Sequence, residues 1–449
     1  MTKVLKLKYL YGLIFFGIIT LIFIIIALPL LNKSIKAPVR ADAIGYFSYL
    51  PAIFTKKDLS FKYMIDPSFE NTVGVNQYEI RFPPEQAKGL GFNFIEQTGN
   101  YLNKYPTGVA VLLTPFFLIG HIFTIIFNFG QSGYSYFYQL FSFAGGFVYF
   151  SLGIYFLGRF LKNFFKEHTV FITIIAIIFA TPLLNYATFE NLYSHVYSFF
   201  LISLLLHLTH KWINNPNYKK SILLGINLGL ILLVRQTNII YFCISLFYLI
   251  SNFKIVKKNL RYILALTIST FIICIPQLLY WKFAFGNFIS YTYVGEGFSL
   301  NNAHILESLF SFERGLFVWS PVLLIALIGL FLIKDDLKKF KVGILFTLIL
   351  LWGIVSTWSS WTFGWGFGHR IFVDALPLFA IGLCVVLERL KKKYLKILVT
   401  CLIIIFALLS SFQTLQYWLR ILPPTNTTFE DYKKTFLNLD PQLVNYWDK

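Results

Sequence analysis

The sequence predicts an all-α, polytopic integral membrane bundle, and three observations predict it. The 449 residues are 57% hydrophobic with a mean hydropathy of +0.66. Charged residues make up 13%, roughly half the share of a soluble domain. Apolar runs near bilayer length recur along the chain, at 9–31, 105–127, 138–158, 170–186, 191–208, 219–234, 237–252, 260–280, 316–333, 341–358, 371–388 and 395–415. A span needs about 20 residues, so the pattern predicts about 11–13 transmembrane helices.

The first run, 9–31, reads as an N-terminal transmembrane helix. It is too long for the apolar core of a signal peptide, and charge follows it where a small-residue cleavage site is required. The formal charge of +19 is a topology signal more than a nucleic-acid one. Of the 39 Lys and Arg, 22 fall in six clusters, Lys3–Lys8, Arg159–Lys166, Lys211–Lys220, Lys254–Arg261, Lys334–Lys341 and Arg389–Lys396. Short basic loops between apolar spans mark the cytoplasmic side. Cys243, Cys274, Cys384 and Cys401 lie inside apolar runs without paired or metal-like spacing and read as small buried hydrophobes.

With Lys3, Lys6 and Lys8 inside, residues 32–104 form an extracytoplasmic first loop with juxtamembrane helices. Residues 105–415 are the transmembrane bundle, and 416–449 a short outer tail. Counting back from the C-terminus, 286–315 and 359–370 are also outside. The two directions of counting disagree by one crossing. One segment between 105 and 210 is therefore split, re-entrant or miscounted, with Asn128–Tyr138 as the suspect because of Gly130 and Gly133. Asp66-Pro67 and Pro83-Pro84 mark turns in the first loop.

Asp42 is the leading candidate for chemistry. It opens Ala41-Asp42-Ala43-Ile44-Gly45-Tyr46-Phe47-Ser48-Tyr49-Leu50-Pro51 just beyond the first span. In a helix, positions 42, 46 and 49 share a face, so one acid and two phenols point the same way. The carboxylate fits both a helix N-cap and a catalytic base. In Trp358–Asp374, glycines alternate with Trp and Phe before His369-Arg370. Gly364, Gly366 and Gly368 suit unusual dihedrals or close backbone approach. Arg370 at a span mouth fits a phosphate held by two prongs, a headgroup anchor, or a pair with Asp374.

Lys104, before Tyr105-Pro106, is another cation at a span end and fits headgroup contact equally well. Glu190 and His195 sit in an apolar stretch, where ionisable groups are costly and are functional candidates by default; a hydrogen bond between helices is the competing reading. Arg235 lies in the turn between two spans. Glu296, His304, Glu313 and Arg314 fit an acceptor or headgroup site, although Glu313 beside Arg314 also reads as a surface ion pair. The chain has no Gly-rich phosphate loop, no zinc spacing, no Gly-x-Ser-x-Gly elbow, and no Asp-x-Asp beside Asp42 to hold a divalent metal.

Taken in order, three pieces resemble the polytopic GT-C glycosyltransferases, the superfamily of dolichyl-phosphate-mannose protein mannosyltransferases and lipid A aminoarabinose transferases. They are the first-loop acid in Ala41-Asp42-Ala43-Ile44-Gly45-Tyr46, the entry Lys104-Tyr105-Pro106-Thr107-Gly108, and Trp365-Gly366-Phe367-Gly368-His369-Arg370 leading into Ala375-Leu376-Pro377. The resemblance implies a GT-C type bundle and sugar transfer from a polyprenyl-phosphate donor to an acceptor glycan, lipid or protein. The site is expected on the extracytoplasmic face of a plasma membrane, the bacterial inner membrane.

It further implies an inverting reaction with Asp42 as general base and with Arg370, His369 and Lys104 on the donor phosphate. Tyr46, Tyr49, Tyr105, Glu190, His195, Arg235, Glu313 and Arg314 are the expected substrate-binding set. Neither a cofactor nor a divalent metal is expected, and nucleic acid is no partner. The single acid, without an adjacent Glu, departs from the mannosyltransferase pattern and leaves the sugar open. Two other readings fit a many-spanned protein. A polysaccharide polymerase or ligase usually places its large loop late, and here it comes first. A flippase for lipid-linked saccharides predicts ionisable residues through the midplane, whereas here they gather at outer span ends.

Overall fold

The computed structural model describes residues 38–65, 80–423 and 425–440. The expected span at 9–31 and the Asp66-Pro67 turn lie outside the described residues. The chain divides into two compact units. The first comprises Met1–Ser151, Thr188–Tyr193 and Gln277–Thr292, and the second Leu152–Ala187, Ser194–Pro276 and Tyr293–Lys449.

In the first unit, α1 (Asp42–Phe54) is followed by the short α2 (Pro84–Gly89) and a hairpin of β1 (Phe92–Ile95) and β2 (Asn100–Asn103). Ala41 precedes α1 at φ 45°, and Asp42 is the first helical residue, where an acid complements the helix dipole. The N-cap reading of Asp42 is thereby corrected, since the cap position belongs to Ala41. Apolar residues surround α1, and Ala43 through Ala52 are all buried. The helix packs on α3 (Gly108–Ile126) with Phe47 against Phe117.

The hairpin is a small exception to the all-α expectation. Its strands pair from Phe92↔Asn103 to Ile95↔Asn100, and Gly99 at φ 66° supplies the left-handed turn residue. Asn103 N donates to Tyr280 Oη at 2.8 Å and Thr98 Oγ1 to Ala284 O at 2.7 Å, tying both ends of the hairpin to residues 277–292.

Among the described residues, six helices are long and apolar enough to cross a membrane: α3, α4 (Tyr136–Leu161), α7 (Ser194–Asn214), α10 (Leu260–Phe285), the segment Asp335–Thr357 that contains α12 (Lys338–Thr357), and α14 (Lys393–Trp418). With these the protein is a multi-pass membrane protein. Other expected spans are shorter or broken. The run 170–186 yields α5 (Glu167–Phe179) and then α6 (Leu183–Thr188), separated by Thr181-Pro182. At 13 residues, α5 is about 20 Å long, less than a hydrocarbon core of about 30 Å. The chain is thus also irregular at 180–193, and of the suspected Asn128–Tyr138 segment, residues 128–135 connect α3 to α4.

The second unit also holds α8 (Tyr218–Val234), α9 (Phe242–Ile250), α11 (Val322–Phe331) and α13 (Leu376–Arg389). Backbone of α11 and α13 meets at Gly329 and Gly382. A Cβ at Gly329 would overlap the Gly382 carbonyl, and one at Gly382 would overlap the Ala326 carbonyl. Small residues at such crossings let helices approach closely in a membrane. Gly329→Ala is expected to lower stability by about 1–3 kcal/mol through overpacking. Thermal unfolding of the purified protein in detergent checks this, and an unchanged melting temperature would refute the close approach.

Candidate functional site

The candidate residues fall into two groups, one in each unit. In the first unit the face shared by Asp42, Tyr46 and Tyr49 is covered by Tyr105. Tyr105 Oη donates to Asp42 Oδ1 at 2.9 Å, its ring lies 4.7 Å from the Tyr46 ring, and Tyr49 Oη donates to Tyr105 O at 2.6 Å. The helical spacing read from the sequence thus builds a platform on which Tyr105 fixes the carboxylate. Gly45 makes this approach available, since a Cβ there would overlap the Tyr105 ring.

Two residues of this group serve packing. Tyr49 is 1% exposed and packs edge-on against Phe61 and Tyr280. Its hydroxyl is engaged and its ring is covered, so Tyr49, expected in the substrate-binding set, packs here against protein. Tyr46 is buried as well. Lys104 lies half-buried with Nζ 5.4 Å from the Tyr105 ring, and its stem covers Gly91, whose φ is 89°. Glu190 is buried in this unit. Arg40, two residues before Asp42, was not anticipated. Its Nη2 donates to Phe189 O at 3.2 Å, and its guanidinium lies over the Phe189 ring.

In the second unit, His369 and Arg370 lead into a 3-10 turn (Arg370–Val373) capped by Asp374. Asp374 is 1% exposed; its Oδ1 is 2.8 Å from His195 Nδ1 and its Oδ2 is 3.9 Å from Arg235 Nε. The expected pair of Asp374 with Arg370 is corrected. Residue 374 closes a short turn and faces α7 and the C-terminus of α8. Arg370 Nη2 instead donates to Phe363 O. His195 and Arg235 were both expected at the site, and the acid that gathers them is the residue sequence reading treated as secondary.

The glycine run does what its composition predicts, toward protein. Gly364 and Gly368 have φ of 71° and 57°, in the left-handed region. A Cβ on Gly366 would press on Tyr186 Oη and one on Gly368 on Pro182. Tyr186 was missed by sequence reading. It is fully buried, and its hydroxyl bridges Phe367, accepting from the amide at 3.1 Å and donating to the carbonyl at 3.1 Å. Nothing local marks it, because its partner lies far along the chain.

His369 is 2% exposed among Trp361, Phe363 and Phe372. Burial, assisted by the charges of Arg314, Arg370 and His195, lowers its pKa to about 3, so the ring is neutral near pH 7. Arg314 is equally buried, and Glu313 turns its Oε1 to the Asn426 amide at 3.1 Å. The surface ion pair expected of Glu313 and Arg314 is therefore corrected; Arg314 Nη1 donates to the Glu313 main-chain carbonyl at 2.8 Å. Glu296 accepts from Trp358 Nε1 at 3.2 Å, and His304 stacks on Trp361. Among the described residues no group of three His, Cys, Asp or Glu is placed to hold a metal.

No family model matches the chain, and no curated protein matches it. Among solved structures the chain is similar to the crystal structure of ArnT from Cupriavidus metallidurans in the apo state, with a TM-score of 0.44 and 13% identity. The match covers 78% of this chain and 60% of that one, so the chain spans less than two thirds of that protein's length.

Proposed function

We propose that the protein is a GT-C type membrane glycosyltransferase moving a sugar from a polyprenyl-phosphate donor to a hydroxyl of an acceptor glycan, lipid or protein. The observation that carries this reading is Asp42, a half-buried carboxylate opening α1 and held by the Tyr105 hydroxyl at 2.9 Å. Asp42 takes the acceptor proton as its oxygen attacks the anomeric carbon. The new C–O bond forms as the bond to phosphate breaks, with inversion, and the phosphate leaves on its lipid. A base needs a fixed orientation and a proton affinity suited to its task, and Tyr105 supplies the first.

Arg370 and the neutral His369 are assigned to the donor phosphate, where fixed donors offset charge that grows as the bond breaks. That assignment places the charge stabilisation on side chains and not on a divalent metal. Consistent with the basic-loop pattern, the reaction is placed on the extracytoplasmic face of a plasma membrane, the bacterial inner membrane.

The direct test reconstitutes the purified chain with polyprenyl-phosphate sugars and follows release of polyprenyl phosphate together with sugar transfer. Movement of intact donor across the bilayer without bond cleavage would overturn the enzyme reading in favour of a flippase. Arg370→Ala is expected to lower the transfer rate by about 10²-fold. An unchanged rate would return Arg370 to a structural role through its bond to Phe363.

A further inference from the structure

Arg314 is a buried cation most of whose N–H donors are unused. A tight turn fixes it: Gly315 N donates to Ser311 O at 2.7 Å, and Trp319 Nε1 donates to Phe312 O at 3.0 Å. The side chain is 2% exposed. Nη1 is satisfied by the Glu313 carbonyl, whereas Nε and Nη2 reach no acceptor. A guanidinium stays protonated in proteins, and a buried charge without a partner is strongly unfavourable. The pattern of unused donors is specific. Nε and Nη2 form one edge of the guanidinium, the edge that meets two oxygens of a single oxyanion side-on.

His369 repeats the feature close by: Gly368 lies against Trp319, whose main-chain N donates to Gly315 O, next to Arg314, at 3.2 Å. Both of its ring nitrogens are buried and lack a partner. A neutral imidazole offers one donor and one acceptor, so it complements an oxyanion oxygen on one side and a hydroxyl or protonated oxygen on the other. Both side chains belong to the second unit.

We propose that Arg314 and His369 form a binding recess for a phosphate ester, with Arg314 holding two phosphate oxygens through Nε and Nη2. A membrane presents that chemistry from two sources, a polyprenyl phosphate and a phospholipid headgroup. Assignment to the polyprenyl phosphate rests on the glycosyl-transfer reading; the recess itself does not. Occupancy supplies the acceptors that Nε and Nη2 lack, so ligand binding and stability are linked.

The test uses the full chain purified in a maltoside detergent free of anionic lipid. Farnesyl phosphate is the probe, with farnesol and farnesoate as neutral and carboxylate controls and phosphatidylglycerol as the headgroup arm. Farnesyl phosphate is expected to raise the melting temperature, and farnesol to leave it unchanged. Arg314→Met is expected to weaken farnesyl phosphate binding at least tenfold while melting at or above the wild-type temperature in anion-free buffer. Arg314→Lys, which keeps the charge and loses the fork, is expected to lose binding to a similar degree with unaltered melting.

Wild-type affinity in either variant, a clear fall in the anion-free melting temperature of Arg314→Met, or farnesoate binding as well as farnesyl phosphate would overturn the proposal. Displacement of farnesyl phosphate by phosphatidylglycerol assigns the recess to headgroups, whereas resistance assigns it to polyprenyl phosphate; both support a phosphate site. If no donor sugar is ever transferred, the glycosyltransferase reading falls, and Arg314-dependent phosphate binding stands by itself.

Discussion

Asp42→Asn is expected to lower sugar transfer by about 10²–10⁴-fold while donor binding is retained. The substitution separates chemistry from structure. Asn keeps a carbonyl oxygen that can accept the Tyr105 hydroxyl, so the bond seen at 2.9 Å and the packing of α1 under Tyr105 survive. What disappears is the basic oxygen that receives the acceptor proton. Initial rates with a polyprenyl-phosphate sugar, beside equilibrium binding of the same donor, give the two readouts. Full activity in the variant would remove Asp42 as the base, and loss of binding with loss of rate would make it a donor ligand.

Asp374→Ala is expected to cost about 3–5 kcal/mol of stability, because it breaks a buried charged network from one side. The carboxylate is 1% exposed and lies 2.8 Å from His195 and 3.9 Å from Arg235. Removing it deprives the Arg235 guanidinium of a nearby counter-charge and leaves His195 Nδ1 without its acceptor. Asp374→Asn keeps an oxygen for His195 and loses the charge, so its melting temperature should fall between those of the wild type and the alanine variant. Thermal unfolding in detergent distinguishes these outcomes. A wild-type melting temperature for Asp374→Ala would show that the network does not hold this part of the second unit.

The spacing of Asp42, Tyr46 and Tyr49 was readable because helical periodicity is local. Their common face follows from helical spacing alone. What covers that face was not readable, since Tyr105 lies 63 positions from Asp42 in the chain. The same limit explains Asp374. As a sequence feature it stands four residues from Arg370, the natural partner one turn away, yet its partners are His195 and Arg235, on elements far along the chain. Tyr186 is the extreme case, a tyrosine in an apolar run whose hydroxyl bonds to Phe367, 181 positions away.

Hydropathy also located most of the bundle, because bilayer length and backbone satisfaction constrain helices without reference to neighbours. It misjudged continuity at 170–186, where Thr181-Pro182 separates α5 from α6, since a hydropathy average does not register a backbone break. By itself, then, the sequence determined that this is a multi-pass helical membrane protein with an acid at the head of its first loop and an aromatic, glycine-rich segment before His369-Arg370. Only the tertiary structure decided which ionisable groups are partnered. It gave Asp374 Oδ1 a partner in His195 and set Oδ2 in ion-pair range of Arg235, and it left Nε and Nη2 of Arg314 unmet. Burial and long-range hydrogen bonding set the cost of a charge, and neither is encoded in local spacing.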